Sequence, residues 1–265
     1  MTRSYGAPQE NQLGVIAETL HRADGLESAR GEVPGQTNEF KFGSQDAIGN
    51  VEIPIWDVAA VYTYQATAKP MFVSSPNAAD QSTGTGARTV KIWGLDANYA
   101  EINETVTLAS VTAVTTTQSY LRVFRAWVVT AGSGNQNAGI VYVGASTVSA
   151  GTPVEKYAAI SAGENQTLMA LWTVPAGKTG YLRRWAVSSG ATAALLGVTA
   201  RLRIREFGAL FRTRDKRSAV RSVIQLKYEV PLVIPEKSDI QVTGIRAAGS
   251  NVDGSATFEL ILRDN

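Results

Sequence analysis

The chain has 265 residues, 44% apolar and 18% charged, with a net charge of +2, no cysteine and a single histidine. The apolar share can fill a sizeable core, while the near-neutral balance excludes a global field that would draw the protein onto DNA or an anionic membrane. Without cysteine there is no disulfide, thiol nucleophile or Cys zinc site, and no apolar run approaches the ~20 residues of a membrane helix.

The first 40 residues stand apart in composition. They carry Glu10, Glu18, Asp24, Glu27, Glu32 and Glu39 against Arg3, Arg22 and Arg30. The polar start, MTRSYGAPQENQ, lacks the basic-then-apolar pattern of a secretory signal, so synthesis in a cytoplasm is expected. Leu13, Ile16 and Leu20 recur at helical spacing, with Asn11 as a cap and Gly25 as a stop. One narrow apolar stripe cannot hold a lone helix in water. The segment therefore reads either as a frayed end or as an extended or short-helical arm that docks through Leu13, Ile16 and Leu20.

From residue 41 onward the period is two. Val51–Trp56, Thr89–Trp93, Ala100–Leu108, Leu121–Thr130, Gly139–Gly144, Gln166–Val174, Gly180–Ser188, Val198–Phe207, Ala219–Tyr228, Asp239–Ile245 and Ala256–Leu262 read as strands rich in β-branched and aromatic residues. Clusters such as Gly132–Asn137, Pro175–Lys178 and Asn251–Gly254 supply the turns. The pattern predicts an all-β fold, an antiparallel β-sandwich or jelly roll over residues 41–265. Two arrangements stay open, one body of two sheets or two stacked halves divided near 150–165. Ser119–Trp127 and Gly180–Trp185 share a Tyr-Leu-Arg core and are candidates for equivalent strands of such halves. Asp96-Ala-Asn98 is expected to close a hairpin between Val90–Leu95 and Ile102–Leu108. Pro175-Ala-Gly177 is expected to close another, between Leu168–Val174 and Tyr181–Val187.

Arg201-Leu-Arg-Ile-Arg205 alternates, so Arg201, Arg203 and Arg205 share one strand face while Leu202 and Ile204 enter a core. Arg212, Arg214, Lys216, Arg217 and Arg221 follow. Three readings stay open: a docking stripe for an acidic partner such as a neighbouring subunit's arm, phosphate contacts, or a solvated edge guarded by charge.

Catalytic chemistry is sparse. His21 stands alone, no Gly-x-Ser-x-Gly elbow or phosphate loop is present, and Glu101 and Glu104 fall on opposite strand faces. Asp96 and Glu104 could approach across a hairpin, but solvated turn acids are the expected state. Asp80, Asp96, Asp239 and Asp253 do not form a calcium-loop run. No catalytic, cofactor or metal residue is assigned, and no enzymatic activity is expected. Trp127, Trp172 and Trp185 are expected in the core, and exposed aromatics would suit a saccharide.

The run Gly94-Leu-Asp-Ala-Asn-Tyr99 leading to Glu104-Thr-Val-Thr-Leu108, with Thr115–Arg122 and Thr167–Tyr181, resembles a group of virion structural proteins of tailed bacteriophages, many from environmental samples. The resemblance covers about half of the chain. It implies a particle component: a head decoration protein, a head fibre or a tail-attached protein, assembled in the host cytoplasm and resident in the virion. Expected partners are further copies of the chain, as a homotrimer, and capsid or tail proteins. Membrane and nucleic acid are not expected partners. The alternative reading is a β-sandwich that recognises a host-surface carbohydrate or receptor.

Overall fold

The structure, a computed structural model, describes residues 26–190 and 197–265. The arm residues Leu13, Ile16 and Leu20 lie outside the described residues. Apart from one turn of helix, α1 (Leu26–Ala29), the described regular elements are antiparallel strands. In chain order these are β1 (Gln36–Ile48), β2 (Ile53–Pro54), β3 (Lys69–Ser74), β4 (Ala87–Leu95), β5 (Glu101–Thr107), β6 (Val114–Tyr120), β7 (Arg122–Ala131), β8 (Val141–Ser149) and β9 (Thr152–Ile160). They continue as β10 (Leu171–Thr173), β11 (Lys178–Ser189), β12 (Val198–Arg205), β13 (Arg212–Ala219), β14 (Val223–Ile234), β15 (Asp239–Arg246) and β16 (Val252–Asp264). No described helix is long and apolar enough to cross a membrane.

The strands form four sheets, ordered β1-β16-β11-β14, β10-β15-β12-β13 with β2 on β15, β6-β3-β8-β9, and β5-β4-β7. The first two enclose one core around Trp172, Trp185, Leu202, Val242 and Phe258. The last two enclose a second around Met71, Val90, Ile92, Val143 and Ile160. Alternation explains both. In β12, Val198, Ala200, Leu202 and Ile204 are buried while Thr199, Arg201, Arg203 and Arg205 are only half-buried.

The two cores are not successive halves of the chain. Strands β3–β9 lie between β2 and β10, so the second core is an insertion into the first. The chain enters and leaves this insertion at neighbouring points: Ala170 N donates to Ile55 O, while Ile55 N and Ala170 O both pair with Val242 of β15. Trp56 and Met169 form the next bridge outward. Long-range pairing closes the first body, because β1 runs antiparallel to β16 from Gln36↔Arg263 to Ile48↔Val252. The sheet thus begins at Gln36, inside the segment set apart by its composition.

β1 crosses directly over the entry and exit strands. A Cβ on Gly43 would sit 2.2 Å from Ile55 O and 2.3 Å from Ala170 N, so no other residue fits there without moving backbone. On either side of Gly43, inward-facing Lys41 and Gln45 replace the apolar residues an ordinary sandwich strand would bury. Lys41 Nζ donates to Phe124 O, and Gln45 Nε2 donates to Trp56 O at 2.7 Å. They satisfy carbonyls at a place where two strands cross rather than pair.

The Asp96–Asn98 hairpin forms as the sequence predicts, with Leu95 opposite Glu101 and Asp96 Oδ1 accepting from Asn98 N and Ala100 N. The Pro175–Gly177 turn does not close a hairpin. β10 pairs with β15 and β11 pairs with β14 and β16, so this turn carries the chain from one sheet to the other. Local turn chemistry is the same in both cases, and only the partner strands distinguish them. Likewise the two Tyr-Leu-Arg segments are not equivalent: β7 gives Val123 and Ala126 to the second core and Phe124 to the first, whereas β11 lines the first core with Leu182, Trp185 and Val187.

Candidate functional site at the junction of the two cores

Three of the motifs singled out in the sequence converge where the insertion meets the first body. Leu121 N donates to Leu95 O at 2.7 Å, and Ala176 N donates to Tyr99 O at 3.0 Å. Asp96–Tyr99, Tyr120–Arg122 and Thr173–Gly177 therefore share one backbone network. Gly94 permits it, because a Cβ there would lie 2.0 Å from Arg122 O. Tyr99 takes the left-handed conformation, φ 63°, which turns its carbonyl toward Ala176.

At the centre Asp239, 3% exposed, lies between two guanidinium groups. Arg122 Nε donates to Asp239 Oδ1 at 2.9 Å, Arg205 Nε donates to Oδ2 at 2.9 Å, and Thr173 Oγ1 donates to Oδ1 at 2.6 Å. Arg122 Nη1 also donates to Gln65 O and Leu121 O. Burial opposes the Arg122 charge, but the hydrogen bonds and attraction from Asp239 outweigh it and hold its pKa above the ordinary value. Tyr64 lies against both cations, with its ring centre 5.1 Å from Arg122 and 4.5 Å from Arg205. The cluster ties β7 of the insertion to β12 and β15 of the first body.

A cleft of about 350 Å³ opens beside this cluster, lined by Gln65, Tyr99, Arg205, Phe207 and Lys237 among others. A larger cavity of about 550 Å³ lies on the other side of Tyr64–Ala66, against β9. There Lys69 Nζ and Tyr157 OH both reach Glu155 Oε2, at 2.9 and 2.8 Å, and Lys156 also lines the wall.

The structure gives most of the predicted arginine stripe partners within the chain. β12 is an interior strand between β13 and β15 and is not an edge. Arg201 and Arg203 both pair with Glu52, Arg205 with Asp239, and Arg214 with Glu206. Arg212 is exposed and, like Lys216, Arg221 and Lys227, forms no ion pair among the described residues. Of the acids weighed as catalytic or calcium ligands, Asp80, Asp96 and Glu104 hold backbone instead, and Asp239 holds arginines. Asp80 is fully buried and accepts from Ser75 Oγ, Ala87 N, Ala138 N and Gly139 N. Glu104 accepts from Thr117 N and Gln118 N.

Sequence reasoning missed Asp239 and Arg122 as a pair, since they are separated by 117 positions. It also missed two buried ionisable groups. Burial pushes the Asp57 carboxyl up to about 7, against hydrogen bonds from Leu168 N and Ser161 Oγ. Burial and the neighbouring Arg125 lower the Lys41 amine to about 7. Of the tryptophans, Trp56, Trp172 and Trp185 are buried. Trp127, expected in the core, is only half-buried, and its ring meets that of Trp93 at a tilt, 5.4 Å between centres.

No protein-family model matches the chain, and no curated protein matches it. Among solved structures, infectious bursal disease virus Gx strain is similar over 86% of this chain and 71% of that chain, at 12% identity and a TM-score of 0.23. The T13 particle of the same virus covers 87% and 70%, at 8% identity and a TM-score of 0.24. The STIV MCP covers 84% and 96%, at 8% identity and a TM-score of 0.22. TM-scores at this level do not establish a shared fold.

Proposed function

We propose that the chain is a structural component of a viral particle, acting through protein–protein contacts. The observation that carries this reading is the strand order of the first body. Numbered along the chain, β1 and β10–β16 are strands one to eight, in sheets ordered 1-8-3-6 and 2-7-4-5. That is the winding expected of a jelly roll, an architecture used by capsid proteins as well as by lectins and cupins. The space between the sheets is filled by Trp172, Trp185 and Phe258, each 1% exposed or less. A filled interior favours contact at the outer surface over chemistry inside. The resemblance of the Gly94–Tyr99 and Glu104–Leu108 runs to tailed-phage virion proteins favours a head decoration, fibre or tail-attached part.

In this reading copies associate as a trimer or another closed oligomer. The arm, through Leu13, Ile16 and Leu20 and with the carboxylates Glu10, Glu18 and Asp24, lies along the basic β13–β14 corner of a neighbour. Exposed Arg212, Lys216, Arg221 and Lys227 supply the charge there, and exposed Val223 and Val230 supply apolar surface. Arg201, Arg203, Arg205 and Arg214 act at one remove, since their acids are intramolecular. The test compares the full chain with one lacking residues 1–25, a cut that spares β1. Sedimentation and electron microscopy should find the full chain in closed oligomers and on particles, and the truncated chain folded but dispersed. A full chain that stays monomeric and is absent from particles overturns the proposal.

A further inference from the structure

We propose that the junction cleft binds a carboxylate-bearing sugar residue, with its acid on Arg205 and Lys237 and an apolar ring face on Phe207. Three observations carry this. First, the cleft has positive charge left over. Arg122 and Arg205 share one carboxylate, Glu206 is taken by Arg214, and Lys237 forms no ion pair among the described residues. Arg205 uses Nε and Nη2 on Asp239 and leaves Nη1 free to donate. Second, Gln65, 7% exposed and shared between the walls of this cleft and the larger cavity, has a buried side-chain oxygen with no hydrogen-bond partner, which a donor at this wall would satisfy. Third, the outer wall is aromatic. Phe207 is 66% exposed on the β12–β13 turn and is braced edge-on by Tyr99 at 5.8 Å.

A ligand that satisfies all three needs a carboxylate, hydroxyl or amide donors, and a compact apolar face. A uronic acid, or another acidic sugar at the end of a glycan, has each of these, and about 350 Å³ suits one ring. The larger cavity beside β9 keeps one cation, Lys156, with no ion pair among the described residues, but no arginine lines it. Arg–carboxylate and Lys–carboxylate contacts are charge-assisted, and sugar faces stack on exposed rings through the same apolar contact that pairs aromatics. Arg205 ends β12 and is held by Asp239 at the start of β15, with Arg122 of β7 behind them, while Lys237 stands in the turn just before β15, so the arginine side of the site is set before any ligand arrives.

This inference is independent of the particle role, and its failure would leave that role standing. The experiment is titration of the full chain by saturation-transfer NMR with methyl glucuronide, methyl glucoside and acetate. Glucuronide should bind at least about tenfold more tightly than either of the others. Lys237→Ala and Phe207→Ala should each weaken it by about tenfold without lowering the melting temperature, and Lys237→Arg should restore most of it. Acetate binding as tightly as glucuronide would mark a bare anion site and overturn the sugar assignment. Equal binding of glucoside, binding untouched by both alanine substitutions, or no saturable binding at all would overturn it too.

Discussion

Asp57 and Lys41 are buried ionisable side chains that bias stability in opposite pH windows. The Asp57 carboxyl titrates at about 7 in the folded chain against an ordinary 3.8. Between those values the folded state holds a proton that the unfolded state has lost, so stability falls as pH rises from about 4 to 7 and the loss is complete above 7. Lys41 is lowered from 10.5 to about 7. There the unfolded state holds the extra proton, so stability rises from about pH 7 to 10.5 and the penalty is complete below 7. Asp57→Asn keeps an acceptor for Leu168 N and should gain a few kcal/mol over the wild type between pH 4 and 7. Lys41→Met should erase the wild type's rise on the alkaline side. Melting curves across pH 4–10 check both, and curves that stay parallel to wild type contradict them. Asp239 behaves differently because it is the sole acid between two cations. Asp239→Ala should destabilise by about 3–5 kcal/mol in denaturant titration, and adding Arg122→Met should recover part of that by removing a stranded charge. A loss below about 1 kcal/mol would show that the pair is solvated rather than buried.

At the scale of elements, alternation made strands legible wherever one face was buried. β12 is the clearest case: Leu202 and Ile204 enter the core and the arginines do not. The β4–β5 hairpin was equally legible, because Asp96 caps its own turn. What periodicity could not supply was the identity of partners. The arginine face looked like an edge until β13 and β15 were found on both sides of it, with Glu52 and Asp239 supplying the acids. Pro175–Gly177 looked like a hairpin turn because turn residues encode a reversal and not the sheet it leads to. The inner face of β1 was the least legible, since Lys41, Gly43 and Gln45 break the apolar alternation to serve a crossing of strands. Gly43→Ala tests that crossing. The added carbon meets two backbone groups that cannot yield, so a loss of roughly 2–4 kcal/mol is expected in chemical denaturation, in line with other overpacked sites. A neutral result would mean that β1 stands off from Ile55 and Ala170.

For the whole molecule, the second core's composition gave no sign that it was an insertion. Both bodies use the same strand chemistry, and a division near 150–165 followed naturally from the repeated Tyr-Leu-Arg segments. Chain entry and exit at Ile55 and Ala170 instead place β3–β9 outside the ring of strands that β1 and β16 close. The Arg122–Asp239 cluster then fixes the insertion to that ring, and the Asp96–Tyr99 and Thr173–Gly177 segments lie at the joint. Native-state hydrogen exchange tests this arrangement most directly, since amides exchange in the units that open together. Under mild denaturant, β1 amides should lose protection together with those of β10–β16, and β3–β9 should open as a separate unit. Joint exchange of β1 with β3–β9, apart from β10–β16, would contradict the insertion.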